Sequence, residues 1–251
     1  MARRAPLIPA ARGAVCPPMA DLRPTIPPED TSGKKKPPER FRSRTSIVHR
    51  DGLYFWRKAA IFVPMTEPIS IETRKGLPAH LRVLADRYPR AEWRGHMNFN
   101  DLTSFWLERH LMFRQVLDKV IGDTQAHLDG KATRYGPELS RYTGFFLNQL
   151  HGHHQIEDQH YFPQFMAMDA RLEQAFEILD ADHHALDHHL NSLADHTNLV
   201  LRALQQGQTA RDEAGRLLAA QEGFKTFLDR HLMDEEEIIV PIVLEYGAEM
   251  S

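Results

Sequence analysis

Residues 146–163 read FLNQLHGHHQIEDQHYFP, and residues 224–241 read FKTFLDRHLMDEEEIIVP. Phe146, Leu150, His153, Glu157 and Pro163 in the first stretch are matched by Phe224, Leu228, His231, Glu235 and Pro241 in the second, each at an offset of 78. Five matches at one offset describe a two-fold internal repeat. Phe146, Leu150, His153 and Glu157 advance by 4, 3 and 4 residues, the period of one face of an α-helix. Leu217, Gln221, Phe224, Leu228, His231, Glu235, Ile238 and Ile242 advance in the same way. The polar pair therefore lies inside an apolar stripe and is expected to face a core. A histidine and a carboxylate one turn apart have Cβ atoms about 5–6 Å from each other, close enough to serve one metal ion or a pair of ions.

Two further stripes flank this repeat. Trp106, His110, Phe113, Leu117 and Val120 step by 4, 3, 4 and 3, as do Leu179, His183, Leu186, Leu190 and Leu193. Each is apolar except for one histidine. The periodicity predicts helices over 101–121, with Asn100 as cap and Gly122 just past the end; over 137–166, with Pro137 in the first turn; over 169–206, stopped by Gly207; and over 209–245, followed by Gly247. Long helices joined by short connections make antiparallel neighbours. The expected fold is all-α: an up-down-up-down four-helix bundle over 101–247, preceded by an N-terminal extension and a disordered tail.

Four imidazoles and two carboxylates in one core are costly unless compensated. Alone, His110 reads as a hydrogen-bonded core histidine, and His153 with Glu157 reads as a helix-surface pair. Four in-phase histidines with a repeated His-x-x-x-Glu favour a metal centre of His110, His153, Glu157, His183, His231 and Glu235. Six ligands suffice for two ions if the carboxylates bridge, and they leave positions open for water, oxo, O2 or NO. Mixed imidazole and carboxylate with open positions suits iron better than a closed structural zinc site, with manganese also compatible. His154, His184, His188 and His189 fall off the stripes and are expected in solvent or behind the ligands. Glu236 stands as an alternative to Glu235. Asp187, one turn below His183, is a candidate partner for that ring.

In this order, His110, His153-x-x-x-Glu157 followed by Tyr161-Phe162-Pro163, His183, and His231-x-x-x-Glu235 with Pro241 resemble the hemerythrin-like (HHE cation-binding) domain. The resemblance covers about residues 101–247. It implies a non-heme di-iron centre in a four-helix bundle, with two iron ions joined by an oxo or hydroxo bridge. Members of that family carry, store or sense oxygen, respond to nitric oxide, sense iron, or help repair iron–sulfur clusters. Oxygen carriers have His-x-x-x-His on the third helix, whereas here Leu179 stands one turn before His183. His184-x-x-x-His188 has the spacing, but its face continues through Ala181, Asn191 and Asp195. The carriers place the fourth-helix carboxylate five after histidine, selecting Glu236. The repair type places it four after, selecting Glu235, and is similar in its four-histidine, two-carboxylate set. Repair proteins typically have a cysteine-bearing N-terminal segment; this sequence offers only Cys16.

Composition fits that picture. Of 251 residues, 15 are histidine, with 42% hydrophobic, 26% charged and a formal net charge of −3, enough apolar material for a substantial core. One cysteine excludes an internal disulfide framework and Cys-rich zinc or iron–sulfur sites. No apolar run approaches the roughly 18 residues of a membrane span, and Pro6, Pro9 and Arg12 spoil Met1–Ala20 as a secretory signal. A pI near 6.6 argues against nucleic acid as the main partner. Residues 1–45 carry nine of the sixteen prolines and ten Lys/Arg against four Asp/Glu, which reads as a disordered basic tail. Residues 46–100, with apolar pieces such as Leu53–Val63 and helical hints over Gly76–Arg87, read as an extension packing on the bundle.

The expected function is a cytoplasmic, monomeric or homodimeric di-iron protein that binds or senses O2, NO or iron status. The alternative is a di-iron enzyme or iron-delivery protein in oxidative or nitrosative stress or iron–sulfur repair, with Tyr161 or His160 as proton donor. A ferritin-like carboxylate site needs Glu-x-x-His twice, and only Glu157-x-x-His160 fits. No His-Glu-x-x-His, phosphate loop or Gly-x-Ser-x-Gly supports a protease, nucleotide enzyme or hydrolase.

Overall fold

The computed structural model describes residues 69–247. The expected tail over 1–45 and the first part of the extension, including Leu53–Val63, lie outside the described residues. Among these, every regular element is helical: α1 (Val83–Arg87), α2 (Asp101–Leu128), α3 (Tyr135–Ile156), α4 (Phe162–Met168), α5 (Glu173–Gln205) and α6 (Arg211–Tyr246). Tight 3-10 turns occupy Ala79–Leu81, Arg90–Gly95 and Ala170–Leu172, and one wide π turn, Glu157–Tyr161, joins α3 to α4. α2 packs on α3 and α6, and α5 packs on the same two helices, so the four long helices close a bundle. No helix of the described residues is long and apolar enough to cross a membrane.

Local chemistry sets the helix ends. The Asn100 side chain accepts from the Thr103 amide at 3.1 Å while the Asn100 amide donates to Thr103 Oγ1 at 3.4 Å, a reciprocal cap on α2. α2 continues about two turns past its expected end at Ile121, to Leu128. Gly122 costs only about 1 kcal/mol inside a helix, and buried Thr124 and Val120 keep the stripe going. The chain leaves the helix at Gly130, whose φ of 73° is accessible to glycine at no steric cost. Gly207, with φ 75°, ends α5 by the same means. Pro241 lies inside α6 without stopping it, within a run from Ile238 to Leu244 that is buried throughout.

The core has two apolar clusters. One holds Phe113, Leu117, Phe146, Leu150, Leu186, Leu190, Phe224 and Leu228. The other holds Trp106, Phe162, Phe165, Phe176, Leu179, Ile238 and Ile242. The stripe histidines fall between them: His110 between Trp106 and Phe113, His183 between Leu179 and Leu186, His231 and Glu235 between Leu228 and Ile238. A polar layer is thus sandwiched between apolar ones. Leu77, Leu81 and Leu84 join the second cluster, and Trp93 packs on Val240 and Leu244. Residues 69–100 are tied to α6 by Arg82 to Glu237 at 2.7 Å and by Tyr88 Oη donating to Glu245 at 2.5 Å.

Candidate metal centre

The polar layer brings His110, His153, Glu157, His183, His231 and Glu235 together, with His154 added. Their donor atoms form two groups: His110, His153, Glu157 and Glu235 in one, and His154, His183 and His231 in the other, with all atoms of a group within 4.8 Å of one another. The carboxylates join the groups. Glu157 Oε1 is 2.9 Å from His153 Nε2, while its Oε2 is 3.7 Å from His183 Nε2. Glu235 Oε1 is 3.5 Å from His110 Nε2, while its Oε2 is 3.4 Å from His231 Nε2. Trp106 Nε1 donates to Glu235 Oε1 at 2.5 Å and fixes that carboxylate.

Both ring nitrogens of His154, both oxygens of Glu157, Nε2 of His183 and of His231, and Oε2 of Glu235 are buried without a hydrogen-bond partner. A buried polar atom left unsatisfied costs about 1–3 kcal/mol, so this concentration needs a common compensator. A cation satisfies these atoms together, and the residues present fit one. Three rings are also turned the right way. His110 Nδ1 lies 3.0 Å from Glu236 Oε1, His183 Nδ1 lies 2.6 Å from Asp158 Oδ1, and His231 Nδ1 lies 3.3 Å from Asp182 Oδ2. In each pair Nδ1–H donates to the carboxylate, which leaves the Nε2 lone pair facing inward.

The electrostatics agree. Burial pushes His153, His154 and His231 below the ordinary imidazole range, so these rings are neutral donors near pH 7. Burial and the charge of Glu235 raise Glu157, whereas at Glu235 the pull of burial is overcome by His110, His153 and His231, which hold it low. At His110 burial is outweighed by Glu235 and Glu236, which raise it. The field that favours a proton at His110 equally favours a metal cation.

Some placements differ from expectation and others agree with it. His154 is neither in solvent nor behind the ligands: it is 3% exposed, its ring is stacked 4.1 Å from that of His183, and it stands in one donor group with His183 and His231. It lies on a second buried line of α3, Ser140, Thr143, Leu147, Leu150 and His154, whose polar first members keep it from reading as an apolar stripe in the sequence. The inward face of α3 is two residues wide. Asp187 does not reach His183; it pairs with His151 at 3.3 Å, and Asp158, carried on the π turn, takes its place. Glu236 is buried but turned to His110, Arg90 and Arg114; despite burial, His110 and Arg114 hold its carboxyl down at about 2. His184 and His188 are exposed, and His189 stacks on Phe227 at 4.5 Å. His160 is exposed, whereas Tyr161 is half-buried, edge-on to Trp106 at 5.0 Å.

A family model described as the hemerythrin HHE cation binding domain matches residues 101–243. Comparison with curated proteins and with solved structures found no match to the chain.

Proposed function

This chain belongs to the hemerythrin HHE cation-binding family, and from that premise we propose that it holds two iron ions in the polar layer and uses them to bind or sense O2 or NO. The reading rests on one observation above all. Glu157 and Glu235 each present one oxygen to the His110–His153 group and the other to the His183–His231 group. With those carboxylates shared, one ion would be held by His110 and His153 and the other by His154, His183 and His231. Four donors at the first and five at the second leave room for a small ligand on an ion that favours six. Iron bound there supplies reversible coordination of O2 or NO.

The chain's own residues do the rest. Asp158, Asp182 and Glu236 orient the rings, Trp106 holds Glu235, and Phe113, Leu150, Leu179 and Leu186 exclude water above and below the layer. The same premise favours an up-down-up-down course for α2, α3, α5 and α6, which the short connections 129–134 and 206–210 support. A lone cysteine and reducible iron suit a cytoplasmic setting.

An enzymatic reading is favoured by Tyr161, whose phenol is raised by burial and by Glu157 and so stays protonated beside the layer. The deciding experiment is metal analysis after anaerobic ferrous loading, with spectra recorded as O2 and then NO are added. About two iron per chain with reversible spectral change is expected; fewer than about 0.5 would overturn the site. Sustained peroxide consumption without reversible O2 binding would favour the enzyme.

A further inference from the structure

We propose that Arg74 and Arg90, which precede the family-matched residues, are positioning residues that set the affinities of the two metal positions separately, each through one carboxylate and one histidine. The inference rests on the two-position reading of the site.

Arg74 is 5% exposed. Its Nη1 donates to Asp182 Oδ1 at 2.7 Å, its Nη2 pairs with Asp182 Oδ2, and its Nε donates to Asp234 Oδ2 at 2.7 Å. Asp182 Oδ2 in turn accepts from His231 Nδ1 at 3.3 Å. This path ends in the three-histidine group. Arg90 Nη1 donates to Glu236 Oε2 at 2.5 Å, and its guanidinium lies 4.4 Å from the centre of the Trp93 ring. Glu236 Oε1 accepts from His110 Nδ1 at 3.0 Å and from Arg114 Nη1 at 2.8 Å. This path ends in the two-histidine group. The paths share no residue.

The physics gives each arginine a defined task. Asp182 and Glu236 are buried carboxylates whose charge must be paired to persist. A two-pronged guanidinium fixes the plane of Asp182, and hence the direction of the His231 lone pair. Without Arg74, Asp182 is free to turn away, and His231 loses its orientation. Arg90 does the same for His110, with Arg114 as a second support, so its loss is felt less. Arg82 provides the contrast: it also ties residues 69–100 to α6, through Glu237 at 2.7 Å, but it leads to no histidine of the layer.

The test is anaerobic calorimetric titration of the full chain with ferrous iron, with the two uptake steps assigned by the H110A and H231A variants. Arg74→Met should weaken the His231 step by about 10–100-fold and spare the other. Arg90→Met should weaken the His110 step by about 3–10-fold, the lower part of the range for outer partners of ligands. Arg82→Met should leave both steps unchanged, and Arg74→Lys should recover part of the loss. In an Asp182→Asn background, Arg74→Met should add nothing. If Arg74→Met does not fold, Asp182→Asn carries the test: selective weakening of the His231 step supports the relay, and two unchanged steps overturn it. Equal shifts of both steps in Arg74→Met and Arg90→Met, or none, also overturn it, since a simple clip between segments gives no selectivity. Wild-type chain that takes up no iron would instead overturn the reading of the site.

Discussion

The Nε2 atoms of His110 on α2 and His153 on α3 are 3.1 Å apart. Two nitrogen donors about 2.1 Å from one ion lie about 3.0–3.4 Å from each other, for angles between octahedral and tetrahedral. Bare imidazole lone pairs at that distance repel unless a proton or cation lies between them. The spacing suits a shared proton in the metal-free chain and, in the proposed site, neighbouring ligands of one ion.

Replacing His153 by alanine, or separately His231, should cut iron retained after anaerobic loading from about two per chain to about one or less. Metal analysis on the folded variants reads this directly. If both variants load like wild type, neither ring is a ligand.

His154 and His184 are both second members of His-His doublets, yet they differ completely in setting. His154 is buried among His183 and His231, whereas His184 is exposed and lies against Asp180, its Nδ1 2.8 Å from the carbonyl and 3.7 Å from the carboxylate. His154→Ala should cost the three-histidine position its ion and leave about one iron per chain. His184→Ala should load as wild type. Equal loading of the two variants would remove His154 from the donor set.

The contrast shows what a linear reading of the chain captures. Stripes of period 3.6 locate His110, His153, Glu157, His183, His231 and Glu235, because each lies in phase with buried Leu and Phe. They miss His154 because a single stripe allows one residue per turn, whereas α3 faces two donor groups and turns both 153 and 154 inward, about 100° apart round the helix. The π turn at Glu157–Tyr161 is equally hidden. It depends on one residue more than an α-helical turn accommodates, and nothing in a run of Glu, Asp, Gln, His and Tyr announces it. Arg74 and Arg90 are invisible for another reason: their partners lie 108 and 146 residues away, and no local pattern encodes such a pairing.

Phe113 is fully buried, edge-on to Phe146 at 6.3 Å and tilted against His153 at 5.1 Å. Phe113→Ala should destabilise the protein by about 3–5 kcal/mol, since lost transfer energy and a residual cavity add. Urea unfolding should show a lower midpoint at unchanged slope. A cost below about 1 kcal/mol would mean that the apolar layer beneath the donors is loosely packed.

Tyr135 gives the pH dependence a measurable sign. Its hydroxyl donates to Thr124 Oγ1 at 3.1 Å, and burial pushes the phenol up to about 12. The unfolded phenol ionises near 10. Tyr135 therefore contributes stability that is complete below about pH 10, falls by about 1.4 kcal/mol per unit above it, and is gone beyond about pH 12. Tyr135→Phe should be less stable than wild type by about 1 kcal/mol at pH 8, and the gap should narrow between pH 10 and 11. Urea midpoints at these pH values check it; a gap that widens with pH would contradict the burial of a neutral phenol.

Asp158 and Asp187 test how the π turn serves the site. Both carboxylates lie near His183 in sequence or space, but only Asp158 meets its Nδ1, at 2.6 Å, while Asp187 meets His151 at 3.3 Å. Asp158→Asn keeps an acceptor for Nδ1–H and loses the charge; Asp158→Ala loses both. Iron affinity of the three-histidine position should fall by a few-fold in the first and by about 10–100-fold in the second, while Asp187→Asn leaves it unchanged. Asp158 is about one-third exposed, so its removal spares the core, and loss of affinity with an unchanged thermal midpoint of the metal-free protein separates ring orientation from folding. If the Asn and Ala variants bind iron equally well as wild type, the π turn shapes the backbone but does not direct His183.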